Sequence, residues 1–319
     1  MRKELLLLGA FGMLTTATLC AQEFHLQPTP QEYITQKDSV DIPRQYQILS
    51  GNSVQDGPAL PLLRSLMPEE VLGASFRVYI GVKGDKIIKK YQHRIPRKSE
   101  GYFLKIEKDC IVIAGADERG AYYGVQTLAQ LLALDKLPLA EVTDYPDVPY
   151  RGVVEGFYGA PWSQEACIRQ LDFYGRNKMN VYIYGPKDDP YHRTPNWRKP
   201  YPAREGEELK VLVNRAKENN VIFYWAIHPG QDIRWNEEDR SLLLQKFESM
   251  YQLGVRGFAV FFDDISGEGT KADKQAELLN YIDDHFVKVK RDVAPLILCP
   301  TEYNKSWTDV EGGYLTTLG

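Results

Sequence analysis

The second half of the chain alternates short apolar runs with amphipathic helical patterns, and this alternation constrains the fold more than any other feature. Beyond Arg151 the apolar runs are Gly152–Phe157, Asn180–Gly185, Val221–Ile227, Gly257–Phe262 and Pro295–Pro300. Strands that are apolar on both faces are typical of a parallel sheet covered by helices. The sequence therefore predicts an α/β fold built from repeated strand–helix units.

Each gap between these runs carries apolar residues at helical spacing. The first helix is predicted to begin at the N-cap Ser163 and to end at Gly175. The predicted apolar faces are Cys167, Leu171 and Tyr174; Leu209, Leu212, Val213 and Ala216; Leu243, Phe247 and Met250; and Ala276, Leu279 and Phe286.

Two architectures share this pattern, a (β/α)8 TIM-type barrel and an open doubly wound sheet. The loops lack glycine-rich phosphate turns, and Gly267–Lys271 departs from phosphate-loop spacing, which favours the barrel. A closed barrel needs eight strands, and only about five strand–helix units are present. We interpret residues 148–319 as a catalytic barrel truncated before closure, whose open parallel edge predicts poor folding in isolation.

Residues 22–147 are predicted to form a separate N-terminal α/β domain. Its strand-like runs are Phe76–Val82, Tyr102–Glu107 and Cys110–Ala116, and a helical pattern over Asp117–Leu134 places Tyr122, Val125, Leu128 and Leu132 on one face. The segment Glu141–Tyr150 carries two prolines and is expected to mark the domain boundary.

Residues 1–21 are predicted to be a signal peptide. Arg2 and Lys3 precede an apolar run that reaches Leu14 and is too short to span a membrane. We expect cleavage near Ala21 and an exported protein, periplasmic or extracellular. Lipid anchoring at Cys20 is not expected, because the bulky Leu19 precedes it. No later stretch is long and apolar enough for a transmembrane segment.

Composition excludes several classes of function. The net charge of −4 shows no basic excess, so nucleic acid is not expected as a partner. The five histidines form no pair at ligand spacing, so neither a metal site nor a cofactor is expected. Cys110, Cys167 and Cys299 lie in apolar surroundings, which favours buried free thiols over disulfides.

The side chains that can carry chemistry follow the five apolar runs. The segments are VVEGFYGAPW, YGPKDDPYH, WAIHPG, FFDDISGEG and CPTEYN. They supply carboxylates, one lysine, tyrosines and tryptophans, and aromatic rings pack on pyranose faces while carboxylates bind hydroxyl groups. Neither a Ser-His-Asp nor a Cys-His arrangement is present. This set of residues predicts a carbohydrate site.

Asp263 and Asp264 stand side by side after the run Gly257–Phe262. Two adjacent carboxylates at a strand end cost desolvation and mutual repulsion. They cannot easily flank a sugar ring, so they fit a glycosidase whose substrate supplies its own 2-acetamido oxygen as the nucleophile. One carboxylate would bind the acetamido N–H. The other would act as general acid and then base, since an anionic neighbour raises a carboxyl pKa.

The same residues can also be interpreted as structural or solvent-exposed residues without a catalytic role. Adjacent acids occur in solvated loops and at helix N-termini, and Asp188–Asp189 fits a loop pair. Lys187 alone fits a surface lysine and Cys299 a core residue, while Tyr303 alone says little.

Three segments resemble one family. RGVVEGFYGAPWS (Arg151–Ser163), YIYGPKDDPYHR (Tyr182–Arg193) and FFDDI (Phe261–Ile265) are similar, in this order, to glycoside hydrolase family 84, the β-N-acetylglucosaminidases called O-GlcNAcases. The helical segment Asp117–Leu132 resembles the α/β domain that precedes the barrel in this and related hexosaminidase families.

The resemblance implies a retaining, substrate-assisted mechanism. It implies that Asp263 orients the acetamido group and Asp264 is the general acid/base. Gly156, through its carbonyl, and Lys187 would bind the sugar. Tyr303 and Cys299 would lie at the acetamido pocket. The family's further asparagine and aspartate contacts lie on later strands, so this segment alone is expected to be inactive.

Three functions are weighed on this basis. The first is a retaining exo-β-N-acetylglucosaminidase acting on N-acetylglucosamine-bearing glycans or on Ser/Thr-linked glycoproteins. The second is a hyaluronidase-like endo-hydrolase, which an open cleft would favour. The third is a catalytically inactive carbohydrate-binding protein, against which the presence of Asp263, Asp264 and Lys187 argues.

Overall fold

A computed structural model describes residues 25–67, 69–304, 306 and 313–319, and two β-sheets organise them. The predicted signal peptide and Cys20 lie outside the described residues. Within the described part of the chain, no helix has the length and apolar character needed to cross a membrane.

The first sheet is mixed and has six strands in the order β1-β6-β4-β5-β3-β2. Its elements are β1 (Glu32–Val40), β2 (Gln47–Ser50), α1 (Ala59–Leu66), β3 (Arg77–Val82), β4 (Tyr102–Ile106), β5 (Cys110–Gly115), α2 (Glu118–Leu132) and β6 (Leu137–Asp144), with 3₁₀ segments at Asn52–Val54 and Lys86–Arg94. β2, β3 and β5 run parallel, whereas β4, β6 and β1 join by antiparallel pairing.

α1 and α2 cover one face of this sheet. The predicted helix is confirmed as α2, begun by Asp117, whose carboxylate accepts from Gly120 N at 2.8 Å. Tyr122, Val125 and Leu128 lie in the resulting core. Ile88, Phe103 and Val112 form a smaller core on the other face, under the 3₁₀ segment.

The second sheet is parallel throughout, in the order β11-β10-β9-β8-β7. Its elements are β7 (Gly152–Glu155), α3 (Gln164–Arg176), β8 (Val181–Tyr184), α4 (Ala203–Glu218), β9 (Ile222–Ile227), α5 (Glu237–Gln252), β10 (Gly257–Phe261), α6 (Ala272–Ile282) and β11 (Ile297–Cys299), followed by α7 (Tyr314–Leu318). All five predicted strands are present, and the predicted fold class, a partial TIM-type barrel after a mixed α/β unit, is confirmed.

The two faces of this sheet bury different side chains. On β10, Phe258, Val260 and the following Phe262 pack against the helices, while Ala259 and Phe261 join a small cluster on the inner face. Successive strand residues point to opposite faces, so alternating residues form the two layers. The same alternation places Asp263 on the inner face.

Two predictions about the helices need correction. α3 does begin at Ser163, whose hydroxyl accepts from Ala166 N, but Gly175 lies inside the helix. The chain instead turns at Lys178, which has a left-handed φ of 58°. Gly175 is required by packing, because a Cβ there would lie 2.8 Å from the Tyr122 hydroxyl.

The buried face of α6 is shifted by one residue from the prediction, whereas the predicted Phe286, in the π-helical segment Asp283–Val287 that follows, is buried as expected. The buried face of α6 consists of Gln275, Leu278 and Ile282, while Ala276 and Leu279 are half-buried at its margin. A hydropathy pattern does not predict this buried face, because one of its residues, Gln275, is polar. Its side chain can be buried since it donates to Gly269 O at 2.7 Å and to Thr301 Oγ1 at 2.9 Å.

One buried and one half-buried ion pair connect the two sheets. Lys178 Nζ donates to Asp144 Oδ2 and to the Tyr102 hydroxyl, both at 2.8 Å. Arg151 Nη2 donates to Glu100 Oε2 at 2.6 Å. The predicted boundary segment overlaps β6 as far as Asp144, so its first residues belong to the first sheet.

The three described cysteines are free thiols, as predicted. Only Cys167 is fully buried, however, and Cys110 is half-buried with its thiol donating to Glu107 Oε2 at 3.3 Å. The expectation of apolar surroundings holds only in part for Cys110, which packs against the core of Ile88 and Phe103 while its thiol contacts Glu107.

Candidate active site

The predicted site residues follow the carboxyl ends of the second sheet's strands. Gly156 comes after β7, Lys187 after β8, Asp263 and Asp264 after β10, and Tyr303 after β11. Cys299 ends β11 beside Phe261 of β10. Since parallel strands end at one edge, residues distant in sequence meet there.

Lys187 and Asp263 form a nearly buried ion pair. Lys187 Nζ lies 2.7 Å from Asp263 Oδ2, and the two side chains are 2% and 16% exposed. The Lys187 backbone is fixed as well, since its N–H donates to Phe157 O at 3.2 Å and its carbonyl accepts from Arg193 Nη1. The surface-lysine reading of Lys187 is therefore wrong.

This pairing sets the charge of Asp263. Burial by itself raises the pKa of a carboxyl, but contacts with His228 and Lys187 outweigh it and hold the pKa of Asp263 well below its ordinary value. Asp263 is thus an ionised carboxylate at neutral pH. Its Oδ1 is buried as well and has no hydrogen-bond partner among the described residues.

His228 contacts Asp263 from β9 and was not selected from the sequence. Its Nε2 lies 2.7 Å from the backbone carbonyl of Asp263 and 3.5 Å from Asp263 Oδ1. Because a carbonyl oxygen only accepts, Nε2 carries the hydrogen. The sequence feature that could have identified His228 is its position at a strand end, in the segment WAIHPG.

His192 lies beside His228, and their ring centroids are 6.2 Å apart. His192 is fully buried with Nδ1 3.2 Å from the carbonyl of Ala226. Burial first, and then the neighbouring His228, lower the pKa of His192 to about 3. His192 is therefore a neutral group that supports the strand ends.

Asp264 differs from its neighbour in backbone conformation and exposure. It has a left-handed φ of 54°, a conformation that costs a non-glycine residue about 1–2 kcal/mol. Its exposed carboxylate accepts from the Tyr158 hydroxyl at 3.1 Å. Burial, and then the hydrogen bond and charge of Asp264, raise the pKa of Tyr158. Tyr158 is a second site residue that was not selected from the sequence.

A pocket of about 480 Å³ opens beside Asp263 on the inner face. It is lined by Gly156, Asp263 and Cys299 together with Val154, Phe157, Ile183, Phe261 and Ile297. Burial and the Asp263 charge raise the pKa of Cys299 to about 12, so this thiol stays protonated. A carboxylate on an apolar wall can fix one polar group of a ligand.

The structure brings Gly156, Asp263 and Cys299 to this pocket and joins Lys187 to Asp263. Asp264 and Tyr303 are not among the lining residues. Tyr303 is half-exposed, and its pKa is raised by desolvation and then by the charges of Asp264 and Asp263. Tyr303 therefore stands within electrostatic reach of both carboxylates.

Asp189 lies in the loop after β8, as expected of the pair Asp188–Asp189, but its side chain is not exposed. It is buried and its Oδ2 accepts from the hydroxyls of Tyr184 and Tyr201 at 2.9 and 2.7 Å. Asp188 beside it is exposed. Asp189 thus anchors the loop that carries Lys187, which is a structural role.

Within the described ranges, one group of three side chains has a spacing that could suit a metal ion, namely Glu107, Asp109 and Cys110. It lies in the turn between β4 and β5 of the first sheet, and Glu107 is already paired with Lys105 at 2.9 Å. This turn contributes nothing to the strand ends of the second sheet.

Comparison with known proteins is consistent with this arrangement. Residues 151–319 match the family model described as beta-N-acetylglucosaminidase, and residues 23–145 match that of glycosyl hydrolase family 20, domain 2. The protein O-GlcNAcase of Rattus norvegicus is 36% identical over 177 residues, which is 53% of this chain and 19% of that protein. The beta-hexosaminidase of Vibrio vulnificus is 29% identical over 167 residues, 52% of this chain and 19% of that protein.

Two solved structures are also similar. CpGH84B has a TM-score of 0.85 at 36% identity, over 92% of this chain and 53% of that one. CpGH84D has a TM-score of 0.83 at 28% identity, over 93% of this chain and 54% of that one. The chain thus spans about a fifth of the length of the curated relatives and about half of these solved chains.

Proposed function

This chain belongs to the β-N-acetylglucosaminidases of glycoside hydrolase family 84, and from that premise we propose that its protein is a retaining exo-β-N-acetylglucosaminidase of the O-GlcNAcase type. It would remove terminal N-acetylglucosamine from glycans or from modified Ser and Thr. We also propose export, on the signal-peptide pattern of residues 1–21.

The observation that carries the proposal is that two adjacent acids have different environments: Asp263 is paired with Lys187, and Asp264 is exposed. Asp263 is held ionised by its pair with Lys187 and lines the pocket, so it suits an acceptor for the acetamido N–H. That hydrogen bond orients the acetamido oxygen towards the anomeric carbon and stabilises the positive charge that develops as it attacks.

Asp264 suits proton transfer because its carboxylate is exposed and accepts from the Tyr158 hydroxyl, not from the ion pair's lysine. In the first step the acetamido oxygen bonds to the anomeric carbon, the glycosidic C–O bond breaks, and Asp264 gives its proton to the leaving oxygen. In the second step Asp264 takes a proton from water as that water opens the cyclic intermediate. Two inversions at the anomeric carbon give retention.

The experiment is hydrolysis, by the full-length protein, of 4-nitrophenyl β-N-acetylglucosaminides whose acetyl group carries zero to three fluorines. Fluorine withdraws electrons from the acetamido oxygen, so we expect kcat/KM to fall steeply with each fluorine. The first anomer released, followed by NMR, should be β. Asp263→Asn should lower kcat by about 10²–10³-fold.

Turnover with a flat fluorine series would contradict substrate assistance while leaving a glycosidase. Sugar binding without turnover would instead favour the carbohydrate-binding protein, in which Asp263 and Asp264 hold a sugar that is not cleaved.

A further inference from the structure

We infer that His228 is a positioning residue that holds the peptide between Asp263 and Asp264, so that two consecutive carboxylates serve the same ligand. This inference rests on the proposed function, since it assigns what orients the two acids of that reaction. Nothing in the family match or in the spacing of the histidines assigns a role to His228.

Regular strand geometry alone would not bring these two carboxylates together. Successive residues of a strand point to opposite faces, and Asp263 follows Ala259 and Phe261 on the inner face. An extended Asp264 would then point with Phe262 towards the helices. The two acids would lie on opposite sides of the sheet.

The left-handed φ of 54° at Asp264 prevents the two carboxylates from pointing to opposite sides of the sheet. It ends the strand alternation and turns the Asp264 carboxylate to the Tyr158 hydroxyl at 3.1 Å. The Tyr158 ring also lies 5.9 Å from Lys187 Nζ, and Lys187 holds Asp263 at 2.7 Å. Both carboxylates therefore face the same group of side chains.

His228 fixes the peptide at which this turn occurs. Its Nε2 donates at 2.7 Å to the carbonyl oxygen of Asp263, which belongs to the peptide that joins the two acids. The direction of that carbonyl is set by ψ of Asp263 and is coupled to φ of Asp264. A directional hydrogen bond there opposes rotation of the peptide back towards the extended conformation.

His228 is itself held rigidly. It is 1% exposed, and its backbone N–H donates at 2.7 Å to the carbonyl of His192. The loop that follows packs directly against the loop after β10, because a Cβ on Gly230 would lie 2.5 Å from Ile265 and 2.9 Å from Phe262. The backbone that carries the imidazole is thus fixed, and the ring itself is held through Nε2, since Nδ1 has no hydrogen-bond partner among the described residues.

The test compares His228→Leu, which removes the donor, with His228→Gln, whose amide nitrogen can reach the position of Nε2. His192→Leu is the matched control, because this equally buried imidazole bonds to Ala226 and not to the acids. In the full-length protein we measure kcat and KM on 4-nitrophenyl β-N-acetylglucosaminide, together with the thermal unfolding midpoint of each variant.

We expect His228→Leu to lower kcat about 30–100-fold with KM changed less than about threefold, because misplaced catalytic groups cost rate. His228→Gln should recover to within about fivefold of the wild type, although both variants lose similar stability. His192→Leu should lose stability with kcat within about twofold. If His228→Leu does not fold, His228→Met provides the same comparison.

Equal losses in the Leu and Gln variants, or wild-type kcat in His228→Leu, would overturn the assignment. Crystal structures supply a readout that does not depend on activity. We expect Asp264 to leave the left-handed region in His228→Leu, and a φ still near 54° would also overturn the inference. A wild type without turnover would defeat the proposed function alone, and the φ of Asp264 would still decide the role of His228.

Discussion

Lys187 and Asp263 are 76 residues apart in the chain, yet their charged atoms lie 2.7 Å apart in a nearly buried ion pair. Lys187 comes from the loop after β8 and Asp263 from the end of β10, with β9 between them. The pair therefore joins two loops of the site and keeps one of the two adjacent carboxylates ionised. Removing one partner would leave the other buried without its counter-charge.

Lys187→Met should move the acid limb of the kcat/KM profile to higher pH. Burial raises the pKa of Asp263, while His228 and Lys187 both lower it, so loss of the Lys187 charge raises that pKa. Since the proposed reaction needs ionised Asp263, activity should be lost at a higher pH, by about 1–2 units. The pH dependence of 4-nitrophenyl β-N-acetylglucosaminide hydrolysis measures this shift.

Lys178→Met is the matched control for that experiment. Lys178 is also a buried lysine paired at 2.8 Å with an aspartate, Asp144, but it lies between the two sheets. Its loss should cost about 3 kcal/mol of unfolding free energy and leave the acid limb in place. If the acid limb of the kcat/KM profile stays at the same pH in Lys187→Met, Lys187 does not set the ionisation of Asp263.

Asp264→Ala should discriminate between leaving groups. A poor leaving group such as an alkyl alcohol needs protonation, whereas 4-nitrophenolate leaves without it. We expect kcat/KM to fall about 10²–10⁴-fold for the alkyl glycoside and much less for the aryl glycoside. Equal losses on the two substrates would remove Asp264 from the role of general acid.

Asp239→Asn should destabilise the protein by about 3 kcal/mol at neutral pH. Asp239 is 1% exposed and accepts from Arg198, which lies in the loop carrying Lys187, and from Arg234. Burial raises the pKa of Asp239, but these hydrogen bonds and charges outweigh it and hold the pKa well below its ordinary value.

The pH dependence of this loss has a definite sign. A carboxyl with a lowered pKa contributes its stability above its unfolded pKa of about 3.9 and loses it as pH falls through the folded value. The difference between wild type and Asp239→Asn should be constant from pH 8 to about 5 and should narrow below about 4. Urea unfolding at several pH values measures it.

Glu238→Gln is the control for Asp239, since Glu238 also pairs with Arg234 but is 66% exposed. We expect a change within about 0.5 kcal/mol. A comparable loss in the two variants would contradict the assignment of the stabilisation to the buried carboxylate.

Gly269→Ala should destabilise the loop after β10. A Cβ at Gly269 would lie 1.9 Å from the carbonyl oxygen of Gly230, so the loops after β9 and β10 would have to separate, at about 1–3 kcal/mol. Gly206→Ala, inside α4 and with open space at its Cβ, should be neutral or stabilising by up to about 1 kcal/mol. The thermal unfolding midpoints of both variants test this difference. Similar changes in the two midpoints would contradict the prediction.

Much of the fold could be predicted from local patterns. The five strands of the second sheet and α2 to α5 follow from apolar runs and helical spacing, because burial on one face leaves a periodic trace in the sequence. β1 was missed since it lies at a sheet edge, and all of Glu32–Val40 is exposed or half-buried. A strand without a buried face shows no alternation of apolar and polar residues from which it could be predicted.

The sequence by itself determined the parallel strand–helix architecture, the edge at which the site lies and the adjacency of Asp263 with Asp264, because these depend on short-range order along the chain. Only the tertiary structure decided that Lys187 is buried against Asp263, that Asp264 turns towards Tyr158 and that His228 holds the peptide between the acids. Each of these depends on the direction of a hydrogen bond between distant segments. Hydropathy and spacing carry no record of where a polar side chain finds its partner.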